Sequence, residues 1–284
     1  MEANIEIALL LFKQNRYQET IDACNQILAN DCNSIKALRL IAKSFLATQK
    51  IEDARKYLNK VLTLEPDNYE VTKDLGVTYQ VIGDNDTAKN FYQKALEINS
   101  SYAPALTNLG YIEFKIGNQK NALSLLIKAT ECDPLLVPAW MNIAYVYIQL
   151  NKLEDAEYSY RKSIELNPNI FNSHFLLGSI LIEQNRLEEA EIYLRKTIEL
   201  KPDFFQAHLN LGATLKELNK LQEAEVSILK AISLNPNLFN SHLLLASILI
   251  EQKKIQEAEH SLRKTIELKP DCAIAHSNLG GILK

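Results

Sequence analysis

Apolar residues return along this chain with two periods at once. Within short stretches they fall at i, i+3, i+4 and i+7, the spacing of one face of an α-helix, as in Trp140, Ile143, Ala144 and Tyr147. The positions filled by His174, Leu177, Gly178 and Leu181 repeat that spacing. Over longer distances the whole pattern recurs every 34 residues. NPNIFNSHFLLGSILIEQNRLEEAEIYLRKTIELKPD, from Asn167 to Asp203, returns 68 residues later as NPNLFNSHLLLASILIEQKKIQEAEHSLRKTIELKPD, from Asn235 to Asp271, with nine differences in 37 positions. A weaker copy from Lys201 to Pro236 lies halfway between. A fixed period of this size points to a stacked repeat. Framed from Met1, the repeats are 1–34, 35–68, 69–102, 103–136, 137–170, 171–204, 205–238 and 239–272, with a partial ninth over 273–284.

Each repeat predicts two helices. Pro66, Pro134, Pro168, Pro202, Pro236 and Pro270 all stand at frame position 32, where a residue without a backbone N–H ends a helix. Cys32 and Ser100 fill that slot in repeats one and three. Position 8, on the first helix, is always small: Ala8, Ala42, Gly76, Gly110, Ala144, Gly178, Gly212, Ala246 and Gly280. Position 20, on the second, is alanine seven times running, from Ala54 to Ala258. Small residues on facing helices let the two backbones approach toward the short end of the usual ~8–10 Å interaxial range. Glycine in mid-helix costs about 1 kcal/mol against alanine, so its return to one slot implies a packing reason.

Small residues at positions 8 and 20, a large apolar residue at 24 (Tyr92, Tyr160, Leu194, Leu262) and proline at 32 resemble the tetratricopeptide repeat (TPR) family, in its bacterial-type multi-repeat form. The resemblance covers essentially the whole chain as one array. It implies an all-α, right-handed α-solenoid of antiparallel helix pairs, a superhelix with about eight repeats per turn. Thr20 and Cys24 in repeat one depart from the pattern, as does Glu113 where position 11 should be apolar, with Tyr111 and Phe114 as the expected compensation. Leu279, Ile282 and Leu283 on the last helix are expected to lack a partner helix, consistent with an N-terminal piece of a longer protein. The same apolar end could pack on Ile7, Leu10 and Leu11 of another copy, a weak head-to-tail self-association.

Composition fits a soluble protein: 47% apolar and 23% charged residues can build a core, and 8 Gly and 8 Pro in 284 residues are too few for a fibrous or flexible chain. The net charge of -4 lacks the basic excess that a nucleic-acid binder requires. Cys24, Cys32, Cys132 and Cys272 form no CxxC pair and are expected to be reduced apolar fillers. The N-terminus has neither the positive flank nor the length of a secretory signal, and no apolar stretch reaches membrane-spanning length, which predicts a cytoplasmic protein with no membrane partner. No Gly-rich phosphate loop, nucleophile elbow, HExxH or paired catalytic carboxylates occur, so neither catalysis nor a cofactor is expected. His174, His208, His242 and His276 return at position 4. Ligands to one zinc ion must all lie ~2 Å from it, whereas equivalent positions on packed helices stand roughly 10 Å apart, so packing is the expected role.

Positions 2, 5, 6, 9, 12 and 13 form the first helix's opposite stripe, which in the TPR family lines a concave groove for extended peptides. Lys36, Arg39, Lys43 and Lys73 make it basic in repeats two and three. They could anchor a carboxylate by charge-assisted hydrogen bonds, or form a solvated face balanced by Glu70 and Asp74. Tyr111, Phe114, Met141, Tyr145, Ile148, Phe175 and Ile182 make it apolar in repeats four to six, suited to a peptide's hydrophobic part or to packing between neighbouring first helices. Asn108, Asn142, Asn210 and Asn278 at position 6 resemble, with gaps at Leu176 and Leu244, the asparagine ladder of the TPR superhelix of O-linked N-acetylglucosamine transferase. The two-carboxylate clamp of chaperone-binding members is matched only by Lys73 and Asn108. Runs such as Glu188 to Glu191 read as solvent faces with i,i+4 basic partners. The expected function is a protein or peptide-binding scaffold. The alternative is the substrate-recruiting arm of a glycosyl- or sulfotransferase-like enzyme continuing beyond Lys284.

Overall fold

The computed structural model describes residues 2–283, which form seventeen α-helices, and no strand occurs among them. In chain order these are α1 (Glu2–Lys13), α2 (Tyr17–Asn30), α3 (Ile35–Ala47), α4 (Ile51–Leu64), α5 (Tyr69–Val81), α6 (Asn85–Ile98), α7 (Ala103–Lys115), α8 (Gln119–Cys132) and α9 (Val137–Gln149). They continue as α10 (Leu153–Leu166), α11 (Phe171–Glu183), α12 (Leu187–Leu200), α13 (Phe205–Glu217), α14 (Leu221–Leu234), α15 (Phe239–Glu251), α16 (Ile255–Leu268) and α17 (Ala273–Ile282). The repeat is kept to the residue: first helices from α3 to α15 have 13 residues and second helices from α2 to α16 have 14.

What ends each first helix is a left-handed residue at frame position 15. Asn15, Gln49, Gly83, Gly117, Asn151, Asn185, Asn219 and Lys253 all have φ between 55° and 87°. The next amide then reaches back five residues, as Arg186 N–H does to the Leu181 carbonyl at 2.8 Å, while Asn185 N–H donates to Ile182 O at 2.9 Å. This Schellman pairing satisfies two carbonyls the helix end would otherwise orphan. Glycine and asparagine accept that conformation readily, but Gln49 and Lys253 do not. Replacing Lys253 with glycine should therefore raise stability by about 0.5–1 kcal/mol, the left-handed penalty of ~1–2 kcal/mol less glycine's entropic cost. Chemical denaturation of wild type and Lys253→Gly checks it, and an unchanged midpoint refutes it.

The chain forms two compact units, residues 1–146 and 147–284. In the first, Ile5, Ile21, Cys24 and Ile27 pack with Leu40 and Ile41, Leu38 and Leu58 with Val71 and Leu75, and Tyr92 with Leu109 and Ile112. In the second, Leu194, Leu211, Leu215, Ile228, Ile248 and Leu249 form the main cluster. The small residue at position 8 faces the large one at position 24 of its own repeat as well as the backbone at position 20. A Cβ on Gly76 would stand 2.5 Å from the Tyr92 ring and 3.2 Å from the Ala88 carbonyl; on Gly178 the nearest Leu194 carbon would be 3.1 Å away.

Position 4 has a bonding role as well as a packing one. Nε2 of His174, His208, His242 and His276 lies 2.8–3.0 Å from the carbonyl of the proline six residues earlier. A carbonyl only accepts, so each imidazole carries its proton on Nε2. Trp140 does the same with its indole N–H, 2.9 Å from Pro134 O, which explains why histidine and tryptophan share the slot. Burial pushes the His174 pKa down against the opposing pull of the Pro168 carbonyl.

Two expectations need correction, those on the cysteines and on the compensation of Glu113. Cys24 and Cys272 are buried fillers, but Cys32 and Cys132 are exposed, because the first sits in a turn and the second at the end of α8. Leu279 and Ile282 are half-buried, packing on the cluster of Ala246, Leu262, Cys272 and Ala275, while Leu283 is exposed. Glu113 is compensated by polar partners instead of aromatic neighbours. It is 2% exposed, its carboxylate meets Lys89 Nζ at 2.5 Å, and Asn118 Nδ2 donates to it at 2.8 Å.

The acidic runs also do more than face solvent. Glu157 pairs within its helix with Arg161 and across the repeat boundary with Arg186, at 2.8 and 2.7 Å. Glu191 pairs likewise with Arg195 and Lys220, and Glu225 with Lys254. The basic partners Arg186, Lys220 and Lys254 occupy the N-cap of second helices, where they donate to the preceding repeat and supply no side-chain cap. A second rung runs from Arg161 to Glu189 and from Arg195 to Glu223. Glu157 and Glu191 are pushed up by burial, yet their basic partners hold both below the ordinary carboxylate range. Among the described residues, no helix is long and apolar enough to cross a membrane.

Candidate functional site

In the first unit the stripe runs along α3, α5, α7 and the start of α9. Lys36, Arg39 and Lys43 share one face of α3, at i, i+3 and i+7. Two members of the basic cluster are already engaged: Arg39 ion-pairs with Glu70 on α5, and Lys73 with the buried Asp74 beside it. Lys36 and Lys43 are exposed and make no ion pair among the described residues. Tyr102 closes this corner. Its ring meets Tyr69 edge-on at 4.8 Å, and burial, then the charges of Glu70 and Asp74, push its hydroxyl pKa up.

Farther along the same unit, Tyr111, Phe114, Met141, Asn142 and Tyr145 are all half-buried. Tyr111 and Tyr145 lie close enough for one hydroxyl to sense the other, and Lys115 Nζ stands 6.0 Å from the Tyr111 ring centre. The stripe is not uniformly open. Leu40, Asp74 and Thr107 lie on it and are buried: Leu40 packs with Ile5 and Ala8 of α1, Asp74 pairs with Lys73, and the Thr107 hydroxyl donates to the Ala103 carbonyl. Half-burial suits Tyr111 and Tyr145, which combine apolar area with a polar tip.

In the second unit, Phe175 packs edge-on against Phe204 at 4.9 Å, and Phe204 against Phe171 at 5.4 Å. Lys201 Nζ lies 4.6 Å from the Phe171 ring centre and 5.5 Å from that of Phe204. Ile148 and Ile182 are half-buried. The asparagines are partly spent within the protein. Asn108 hydrogen-bonds the Tyr92 hydroxyl in the first unit, and Asn210 Nδ2 donates to Ser179 Oγ at 3.4 Å in the second.

Sequence reasoning missed Tyr69, Tyr102, Phe171 and Phe204, which sit at frame positions 1 and 34, just ahead of the stripe. Their signal was an aromatic residue at both ends of repeats three and six, Tyr69 with Tyr102 and Phe171 with Phe204. Burial also sets the Cys24 thiol aside chemically, pushing it up to about 11, so it stays protonated and unreactive at neutral pH.

A family model described as Cilia and flagella-associated protein 70 C-terminal domain matches residues 68–279, and one described as Tetratricopeptide repeat matches residues 36–68. RNA polymerase II-associated protein 3 of Mus musculus is 39% identical over 64 residues, 22% of this chain and a stretch spanning 10% of that protein. Among solved structures, Pseudomonas aeruginosa PilF superposes with a TM-score of 0.69 at 21% identity, covering 75% of this chain and 97% of that one. YrrB, described as a TPR protein with an unusual peptide-binding site, gives a TM-score of 0.62 at 21% identity, covering 66% and 96%. At that identity the two structures speak to the fold alone.

Proposed function

Because the chain belongs to the tetratricopeptide-repeat family, through the model of the cilia and flagella-associated protein 70 C-terminal domain over residues 68–279, we propose that it is a noncatalytic scaffold that binds an extended peptide or partner segment along the first-helix stripe. Repeat arrays present extended surfaces for partner binding, and YrrB is a fold neighbour described as having a peptide-binding site. The observation that supports the reading best lies within the first unit: exposed Lys36 and Lys43 on α3 share a stripe with the half-buried Tyr111, Phe114, Met141 and Tyr145. A partner combining a carboxylate with apolar side chains suits both parts, the first by charge-assisted hydrogen bonds and the second by aromatic contact. Arg39 and Lys73 would shape the anchor more than supply its free charge, since Glu70 and Asp74 already hold them. Asn142 extends the proposed contact set within the first unit, and Phe175 and Asn210 mark the same stripe of the second unit as a separate proposed contact surface. We place the protein in the cytoplasm, where its four free thiols stay reduced.

The test uses a fluorescein-labelled decapeptide of alternating aspartate and leucine, with an asparagine-leucine peptide as control. Lys36→Glu with Lys43→Glu is expected to weaken binding of the acidic peptide at least tenfold, ~1.4 kcal/mol, and to leave the control unchanged. Equal affinities for wild type and variant, with helix content intact by circular dichroism, would discard the anchor.

A further inference from the structure

The ion-pair ladder of the second unit has one missing rung, and a cleft opens there. At frame position 25, Arg161 on α10 reaches Glu189 on α12, and Arg195 on α12 reaches Glu223 on α14. The next residue in register is Leu229 on α14, and the glutamate it faces by position is Glu257 on α16. Glu257 is exposed and makes no ion pair among the described residues. Lys254, one turn earlier, is near enough to feel its charge, but its ammonium goes to Glu225 at 2.7 Å.

Without an arginine across it, the space between α14 and α16 is a cleft of about 380 Å³. Leu229, Leu245 and Leu249 line its apolar part, with Gln256, Glu257 and His260 at the rim. That volume lies at the small end of the ~300–1,000 Å³ typical of ligand pockets, enough for one or two aliphatic side chains. The approach is apolar as well: Val226 and Leu229 are 68% and 48% exposed on α14, and Ile192, at the position of Val226 one repeat earlier, is 65% exposed.

We propose that this cleft is a second docking site, separate from the first-helix stripe, for a partner segment that presents an aliphatic side chain next to an arginine or lysine. The aliphatic group fills the floor against Leu229, Leu245 and Leu249, and the cation supplies Glu257 with the partner that Arg161 and Arg195 give to its counterparts. Guanidinium suits the role best, since its planar fork meets a carboxylate with two hydrogen bonds.

The probe is N-acetyl-leucyl-arginine amide, titrated into protein carrying 13C-labelled leucine methyls, with N-acetyl-leucyl-glutamate amide as the charge control. Saturable shifts at Leu229, Leu245 and Leu249 are expected with the arginine peptide, at an affinity at least tenfold above that of the glutamate peptide. Leu229→Arg restores the rung and should abolish the shifts, while Glu257→Gln should erase the preference for arginine and keep the leucine response. Absent or non-saturating shifts, equal affinity for the two peptides, or full binding by a folded Leu229→Arg would overturn the proposal. So would methyl shifts that track protein concentration without peptide, because the cleft would then be filled by a second copy.

Discussion

Removing the charge at Lys89, as in Lys89→Met, is expected to lower the stability of the first unit by about 2–3 kcal/mol, whereas Glu113→Leu should be neutral or stabilising by ~1–2 kcal/mol. The asymmetry follows from where the cost sits. Glu113 holds the apolar position 11 of repeat four with 2% of its surface exposed, and Lys89 on α6 meets it at 2.5 Å. Without Lys89 a carboxylate is left in the core with only amide donors, which strands most of its desolvation cost. Losing one partner of a fully buried pair typically costs ~3–5 kcal/mol. The figure is discounted here because the Lys89 side chain is 32% exposed and partly screened by water. Leucine, by contrast, removes both the charge and the need for a partner.

The same site carries a pH signature. Burial pushes the Glu113 pKa up, but the hydrogen bonds from Lys89, Asn118 and Asn121 outweigh it and hold the carboxyl below its ordinary value. A carboxylate depressed by folding contributes its full stability above its unfolded pKa of about 4.3 and loses it as pH falls through the lower folded value. Urea unfolding between pH 7 and pH 3 should therefore show the advantage of Glu113→Leu over wild type widening in acid. A gap that stays constant with pH, or a Lys89→Met variant as stable as wild type, would show that the pair does not hold repeat four together.

Why some of this could be read in the chain and some could not is a matter of which positions a periodic pattern compares. Lining residues up at intervals of 34 sets position 8 against position 8 and position 32 against position 32. The helix pairs, the small-residue slots and the proline stops are therefore legible in the sequence. The same comparison is blind to bonds between unlike positions. Arg186 with Glu157 and Arg161 with Glu189 join residues 29 and 28 apart, and no column of the repeat holds both partners. Glu113 stood out as a misfit, but its answer, Lys89, lies on the second helix of the previous repeat, at a position where charge is unremarkable. Position 15 hid for another reason. Asn, Gly, Gln and Lys share no chemistry there, only a positive φ, and side-chain type reports on φ weakly outside glycine. For the proposed binding stripe, the sequence offered a face, while the engagement of Arg39, Lys73, Asn108 and Asn210 inside the protein depended on contacts with Glu70, Asp74, Tyr92 and Ser179.

Gly76→Ala is expected to destabilise the first unit by about 2 kcal/mol, against the ~1 kcal/mol that alanine gains by helix propensity alone. The new methyl would start 2.5 Å from the Tyr92 ring, and the ring has nowhere to go. It is fully buried, and its hydroxyl donates to Gln80 Oε1 at 2.5 Å, so it is held at both ends. Flexible neighbours give way more easily. The same substitution at Gly178 meets Leu194 at 3.1 Å, and should cost at least ~1 kcal/mol less than at Gly76. Repeats two and eight already pair alanine at position 8 with leucine at position 24, as Ala42 with Leu58 and Ala246 with Leu262, and repeat five pairs Ala144 with Tyr160, but with Ile148 at the position from which Gln80 holds the Tyr92 hydroxyl. In a Tyr92→Leu background, then, Gly76→Ala should lose most of its penalty, giving a coupling energy of about 1–2 kcal/mol in a double-mutant cycle. Thermal or urea unfolding of the four proteins measures it. Additive effects would mean that the glycine serves the close approach to the Ala88 backbone, 3.2 Å from the same Cβ, and that the tyrosine is incidental.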